Sequence, residues 1–212
     1  MKHVVAFPRF LVGAVLALGL ALATAQAAID AAGSERAGTF MTNLAQKVIA
    51  TLSATNVTHE QREEKFHALL NEAFDLEQIG KFVVGRHYAK MSPEQRAEYH
   101  KLFGAFLIKS YARRLGGYSG EQFVIVGVRP ADENEIFVRS RIERPGAPVL
   151  DCDWKLRVAD GEFRIVDLVV EGVSMSMAQR QDFASVVSGS GIDGLMAALR
   201  ARVERLPATA AR

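Results

Sequence analysis

The chain has 212 residues, 49% of them hydrophobic and 24% charged, with a formal charge of +2 and a single cysteine. That apolar content suits one packed core and is not that of a disordered chain, and the charge lacks the basic excess of a nucleic-acid binder. A lone thiol forms no internal disulfide, so stability must come from packing.

The N-terminus reads as a targeting segment. Lys2, His3 and Arg9 give a cationic start, an apolar run extends from Phe10 to Ala23, and Ala25-Gln26-Ala27 offers the small-x-small pattern read by signal peptidase. The run falls short of the ~20 apolar residues a bilayer span needs, so cleavage before Ala28 is expected. Removing Lys2 and Arg9, with no acid lost, takes the charge of +2 to zero. The expected organisation is a cleaved signal peptide over 1–27, one domain over 28–206 and a disordered tail over 207–212.

The first helix is expected over 34–52, where Ala37, Phe40, Met41, Leu44, Ala45, Val48, Ile49 and Leu52 recur as one apolar stripe. Thr58 with Gln61 is a capping-box pattern opening a second helix, whose Phe66, Leu69, Leu70, Ala73 and Phe74 share a face. Asp75 with Gln78 repeats the device for a short third helix, which Gly85 is placed to end. Ser92-Pro93-Glu94-Gln95 joins a cap, a first-turn proline and a capping-box glutamine. The long helix it opens carries Tyr99, Leu102, Phe103, Phe106, Leu107, Tyr111 and Leu115, and Gly116-Gly117 stops it.

From Glu121 the period changes to two, and four strands are expected at 123–128, 135–142, 149–158 and 163–170, joined by short polar connections that indicate an antiparallel meander. In the third, Leu150, Cys152, Trp154 and Leu156 face away from Asp151, Asp153, Lys155 and Arg157, so that strand has one wet face. The first and fourth carry apolar residues at both parities, which predicts a sheet covered twice in part. Helices over 174–187 and 192–203 close the chain, with Gly189-Ser190-Gly191 as their linker. The fold class is α+β, with helices packed on a curved four-stranded antiparallel sheet.

Enzymatic chemistry is hard to find. His59, His67, His87 and His100 form no His-Glu-x-x-His pair, one cysteine builds no cysteine zinc site, and there is no P-loop, nucleophile elbow or dinucleotide fingerprint. Asp151, Asp153 and Asp167 are the carboxylates that could converge from the strands. Cys152, among inward-facing neighbours, reads as a buried small apolar residue. No catalytic residue, metal site or cofactor is assigned.

Taken together, several segments resemble a known family. Phe74-Asp75-Leu76 through Gly85-Arg86-His87-Tyr88, Ser110-Tyr111-Ala112-Arg113-Arg114-Leu115, Asp153-Trp154-Lys155-Leu156, Glu171-Gly172-Val173-Ser174-Met175, Gln179-Arg180 and Asp182-Phe183-Ala184-Ser185-Val186 are similar to the toluene-tolerance auxiliary (MlaC) family of ABC phospholipid transport. The likeness covers residues 38 to 203. It implies a cone of helices on a sheet like that of nuclear transport factor two, enclosing a deep apolar pocket. It also implies a periplasmic phospholipid shuttle between an outer-membrane lipoprotein complex and an inner-membrane ABC transporter with its membrane-anchored substrate-binding protein, in the system that maintains outer-membrane lipid asymmetry. A closely similar branch, HpnM, is associated with hopanoids, so a hopanoid-linked carrier is the alternative within the family. A small enzyme or a periplasmic adaptor without ligand are the alternatives outside it.

Under that resemblance the candidate lipid-binding residues are Phe82, Val83, Phe103, Phe106, Leu107, Tyr111, Trp154, Val169, Val173, Met175, Met177 and Phe183. Arg113 and Arg114 are the candidate neighbours of a phosphate headgroup, although cations at a helix C-terminus also serve the helix dipole.

Overall fold

The computed structural model describes residues 12–112, 120–132, 134–159 and 161–205, and for residues 12–31, 59, 63, 111, 112 and 159 the backbone alone. Among the described residues there are five helices: α1 Val12–Ser53, α2 His59–Ala73, α3 Leu76–Val84, α4 Pro93–Ala112 and α5 Met175–Arg205. A 3-10 turn over Gly85–Lys90 links α3 to the α4 cap. The sheet strands are β1 Gln122–Asp132, β2 Glu135–Glu143, β3 Leu150–Ala159, β4 Glu162–Val170 and β5 Val173–Ser174. The sheet is a simple antiparallel meander in the order β1-β2-β3-β4-β5, so the expected four strands gain a two-residue fifth that feeds directly into α5.

Helix starts obey the local chemistry. Thr58 and Gln61 exchange reciprocal bonds, with Thr58 N–H donating to Gln61 Oε1 at 3.0 Å and Gln61 N–H to Thr58 Oγ1 at 3.2 Å. Ser92 and Gln95 do the same at 3.0 and 3.2 Å, and the Asp75 carboxylate accepts from Gln78 N–H at 2.9 Å. Such caps satisfy otherwise orphaned amides, each worth about 1 kcal/mol. Gly85 ends α3 at φ 57, a left-handed conformation that a side chain would strain. Helix α1 begins at Val12, well before the expected start near Ser34, because the Ala- and Leu-rich stretch preceding the stripe carries high helix propensity. The two closing helices form one run, broken at Gly191, where φ 70 and ψ −172 leave helical space. The signal-peptide cleavage expectation falls partly on residues 1–11, and the Gly116-Gly117 stop and the tail over 207–212 fall wholly outside the described residues.

The expectation of a doubly covered sheet is corrected by two β-bulges. In β1 the register shifts between Ile125 and Gly127, so Phe123, Ile125 and then Val128 pair with the inward residues Ile142, Ser140 and Val138. In β4, Ile165 pairs with Leu156 and Asp167 with Lys155, leaving Val166 as the extra residue, and Leu168 then faces Trp154. An extra residue reverses which parity points inward, so apolar residues at both parities serve one inner face. Val124 and Val126 stay exposed on the other side. There the charged residues of β2 and β3 pair, Arg139 with Asp153, Arg141 with Asp151 and Lys155 with Glu135.

The core is divided. One cluster, with Ile79, Val83, Tyr99, Phe103, Phe183 and Leu195, belongs to α3, α4 and α5. The other, with Met41, Ala73, Val138, Leu156 and Ile165, joins α1 and α2 to the sheet. Phe74 touches both. Tyr99 anchors the helical cluster, donating its hydroxyl proton to Gly80 O at 2.9 Å from a fully buried position.

Candidate functional site

A cavity of about 470 Å³ lies between the two clusters, lined by members of both. That is the size range of small-molecule sites, roughly 300–1,000 Å³. From α1 come Met41, Leu44, Ala45, Val48, Ile49 and Leu52, and from α2 Phe66, Leu69, Leu70 and Ala73. The stripe that the sequence offers as the packing face of α1 is therefore largely a cavity wall. Leu76, Ile79 and Val83 of α3 and Phe103, Leu107 and Ile108 of α4 close the helical side. Phe123, Ile142, Leu150, Trp154, Val166 and Leu168 provide the sheet side, and Met175 enters from the start of α5. Phe123 and Trp154 meet edge to face, with ring centroids 6.2 Å apart. The Trp154 indole N–H donates to Ser140 Oγ at 2.9 Å, so its one polar group is satisfied within the protein.

Six polar residues join this apolar wall: Glu121, Gln122, Arg144, Asp167, Ser176 and Gln179. Arg144 is the one Lys or Arg among the described lining residues, and its Nη2 donates to Pro148 O at 2.9 Å. The Asp167 carboxylate accepts from Leu168 N–H, Ser174 Oγ and Ser176 N–H at 2.9, 2.6 and 3.0 Å. Ser174 Oγ in turn accepts from Met177 N–H at 3.1 Å, so Asp167 and Ser174 together cap α5. Gln179 lies one turn later, and its Nε2 is buried without a hydrogen-bond partner.

Of the residues expected at a lipid site, Val83, Phe103, Leu107, Trp154 and Met175 line the cavity. Phe106 and Phe183 do not; they pack on each other inside the helical core, ring centroids 6.2 Å apart. Phe82 is exposed, with the Arg180 guanidinium 4.9 Å from its ring centroid. Val173 and Met177 are exposed as well, at 54% and 46%. Val169 pairs with Asp153 and points to the outer face, because the bulge at Val166 reverses the parity that would have turned it inward. The side chain of Tyr111, and Arg113 and Arg114 entirely, lie outside the described residues. Leu168, Arg144 and the α1 and α2 walls were not anticipated. The two helices' apolar periodicity was visible, but periodicity does not tell a filled face from a cavity face.

The carboxylates do not converge. Asp151 and Asp153 bond Arg141 and Arg139 on the outer face, while Asp167 lines the cavity. The Arg139 hydrogen bond, at 2.7 Å, holds the Asp153 carboxyl below its usual range. His67 bonds Asn71 and His100 bonds the Tyr88 hydroxyl, each within its own neighbourhood. Among the described residues no three His, Cys, Asp or Glu side chains stand together as a metal site. Cys152 is 3% exposed, and burial first, then the charges of Glu171, Asp151 and Asp153, push its thiol up to about 11. A thiol held protonated is a poor nucleophile.

A curved meander with helices on one face and an apolar cavity at the seam of a divided core defines a cavity-bearing α+β protein. Residues 42–201 match the family model described as MlaC protein, and the chain belongs to that family. It is 32% identical over 126 residues to the intermembrane phospholipid transport system binding protein MlaC of Haemophilus influenzae, a match covering 58% of this chain and 59% of that one. The match thus spans less than two thirds of that relative's length. It is 20% identical over 152 residues to the toluene tolerance protein ttg2D of Pseudomonas putida, covering 69% of this chain and 71% of the relative. The fold is shared with a phospholipid-binding protein from Ralstonia solanacearum solved in complex with a phospholipid. That likeness has a TM-score of 0.70 at 22% identity, over 78% of this chain and 96% of that one. No helix among the described residues is long and apolar enough to cross a membrane.

Proposed function

We propose that this protein is a periplasmic phospholipid shuttle of an ABC-type transport system and that the cavity holds acyl chains. The observation that carries this is the apolar cavity between the two core clusters of an MlaC-family chain. Moving a chain out of a bilayer costs about 0.8 kcal/mol per methylene, so a two-chain lipid does not cross water usefully unaided. A carrier has to substitute for the bilayer with a long apolar wall, and about 470 Å³ lined by Leu, Val, Ile, Phe and Met side chains is such a surface.

The relatives' names support phospholipid as the ligand. Membership of the family supports an ABC transporter with its membrane-anchored binding protein as the inner-membrane partner, and an outer-membrane lipoprotein complex as the other. The work is binding and transfer, without catalysis. Export with cleavage before Ala28 rests on the N-terminal pattern, and a soluble carrier must lose an apolar leader to move between membranes. Arg144, in the cavity wall, supplies a cation for the phosphate headgroup, and the C-terminal position of Arg113 and Arg114 after the long aromatic helix in the sequence supports the same role for them. An adaptor that holds nothing would need no cavity, so the interior stands against that reading.

Organic extraction of the protein purified from periplasm, followed by mass spectrometry, tests the proposal. Phospholipid in the extract supports it. A lipid-free preparation that also takes up none from phospholipid vesicles overturns it. N-terminal sequencing of the exported form should read Ala28 first, and an intact Met1 refutes export by cleavage.

A further inference from the structure

Gln179 stands out in the cavity wall. Its Nε2 is cut off from solvent and donates to nothing, although its neighbours on α5 and β4 are fully engaged. A buried amide left unpaired is costly, and native proteins keep few such groups. Most of the lining it shares is hydrocarbon, Val83 and Phe103 included, and the Asp167 carboxylate is already taken by Leu168, Ser174 and Ser176, so no protein acceptor is bonded to the Gln179 amide.

We propose that Gln179 is a specificity determinant that donates a hydrogen bond to an acyl-ester carbonyl of the bound lipid. This deepens the carrier reading and rests on it. The site would then select ester-linked glycerolipids over ligands whose cavity-bound portion has no carbonyl, such as alkyl-ether lipids or polycyclic hydrocarbons. A phosphate is the other lipid acceptor, and it is disfavoured at Gln179, because the lining cation that would meet it is Arg144, just after β2, whereas Gln179 stands on α5. The Asp167 carboxylate lines the same cavity and bonds the backbone of Ser176, one turn before Gln179. An anion beside it, away from water, meets like charge and loses hydration. A neutral ester carbonyl loses little on entering an apolar pocket and gains the donor that Gln179 holds out.

The test is a competition. Delipidated full-length mature protein is offered vesicles containing equal amounts of a diester phosphatidylglycerol and its dialkyl-ether counterpart with the same chain lengths, and the bound ratio is read by mass spectrometry. The wild type is expected to enrich the diester about five- to tenfold, the scale of one well-placed neutral hydrogen bond. Gln179→Leu is expected to bring the ratio to parity. Gln179→Met serves as a second variant with a flexible chain, should Leu disturb the fold. Parity in the wild type, or a preference that survives both substitutions, overturns the role of Gln179 while leaving the carrier reading standing. Parity is also the result expected if the amide met a phosphate. Failure of the wild type to take up either lipid overturns both proposals together.

Discussion

Leu168 is paired with Trp154 across the β3–β4 ladder, and both side chains form part of the cavity wall. The residue after it, Val169, pairs with Asp153 and points the other way. Two adjacent residues therefore separate ligand effects from general effects of a polar substitution. Leu168→Asn is expected to lower co-purified lipid severalfold, whereas Val169→Asn should leave it near the wild-type level. Lipid phosphorus per mole of protein checks this, and equal losses would contradict the assignment of faces.

Leu44 and Leu156 make a matching pair for stability. Leu44 of α1 lines the cavity, while Leu156 of β3 has 0% exposure and sits among packed neighbours. Leu156→Ala should cost about 2–5 kcal/mol, the range for truncating a well-packed core leucine. Leu44→Asn should cost under about 1 kcal/mol in the lipid-free protein, because empty space adjoins it, yet reduce lipid loading. Denaturant unfolding of delipidated protein gives both numbers. A larger cost for Leu44→Asn than for Leu156→Ala would show that α1 faces a filled core.

Cys152 is expected to be structural. With its thiol pushed up to about 11 by burial, it should react with maleimide at neutral pH far more slowly in the folded protein than in urea. Cys152→Ala should lower stability by about 1 kcal/mol and leave lipid loading unchanged. Fast labelling of the folded protein, or loss of lipid from folded Cys152→Ala, would refute this.

His100 is expected to make the fold sensitive to mild acid. Burial is the leading cause that lowers its pKa below the usual 6.5, so between the two values the unfolded chain binds the proton that the folded protein does not. Its contribution is complete above about pH 6.5 and is lost as pH falls below that, because protonation favours the unfolded chain. The melting temperature should fall more from pH 7.5 to about 5.5 in the wild type than in His100→Gln. Equal pH dependence in the two proteins would contradict it.

Most of the architecture was legible in the sequence because each element carries its own local signal. The Thr58, Asp75 and Ser92 caps fix three helix starts, and alternation in β3 fixes its two faces. The bulges were not legible. An extra residue at Val126 or Val166 leaves the composition unchanged and reverses the parity of the residues that follow it, so alternation alone assigns apolar residues to both faces of β1 and β4 and turns Val169 inward. Of the sequence candidates, Val83, Phe103, Leu107, Trp154 and Met175 fall in the cavity wall, each on an apolar face that helical period or strand alternation marks. The site was not legible on α1, since the Leu44 to Leu52 stripe has the same spacing whether it meets side chains or space. Phe183 carries the same kind of helical spacing and lies in the helical core, packed against Phe103 and Phe106.

If the cavity holds the acyl chains of a phospholipid, changes in its wall should act on lipid before they act on the fold. The most direct test is lipid per protein set against melting temperature for the wild type, Leu168→Asn, Leu44→Asn, Val169→Asn and Tyr99→Phe. Tyr99→Phe removes the buried bond to Gly80 and should cost about 1 kcal/mol without touching the cavity. Phospholipid is expected in the wild type, in Val169→Asn and in Tyr99→Phe, and its depletion in Leu168→Asn and Leu44→Asn with those two still melting close to the wild type. Lipid absent from every preparation, or lipid loss that tracks melting temperature across all variants, would contradict it.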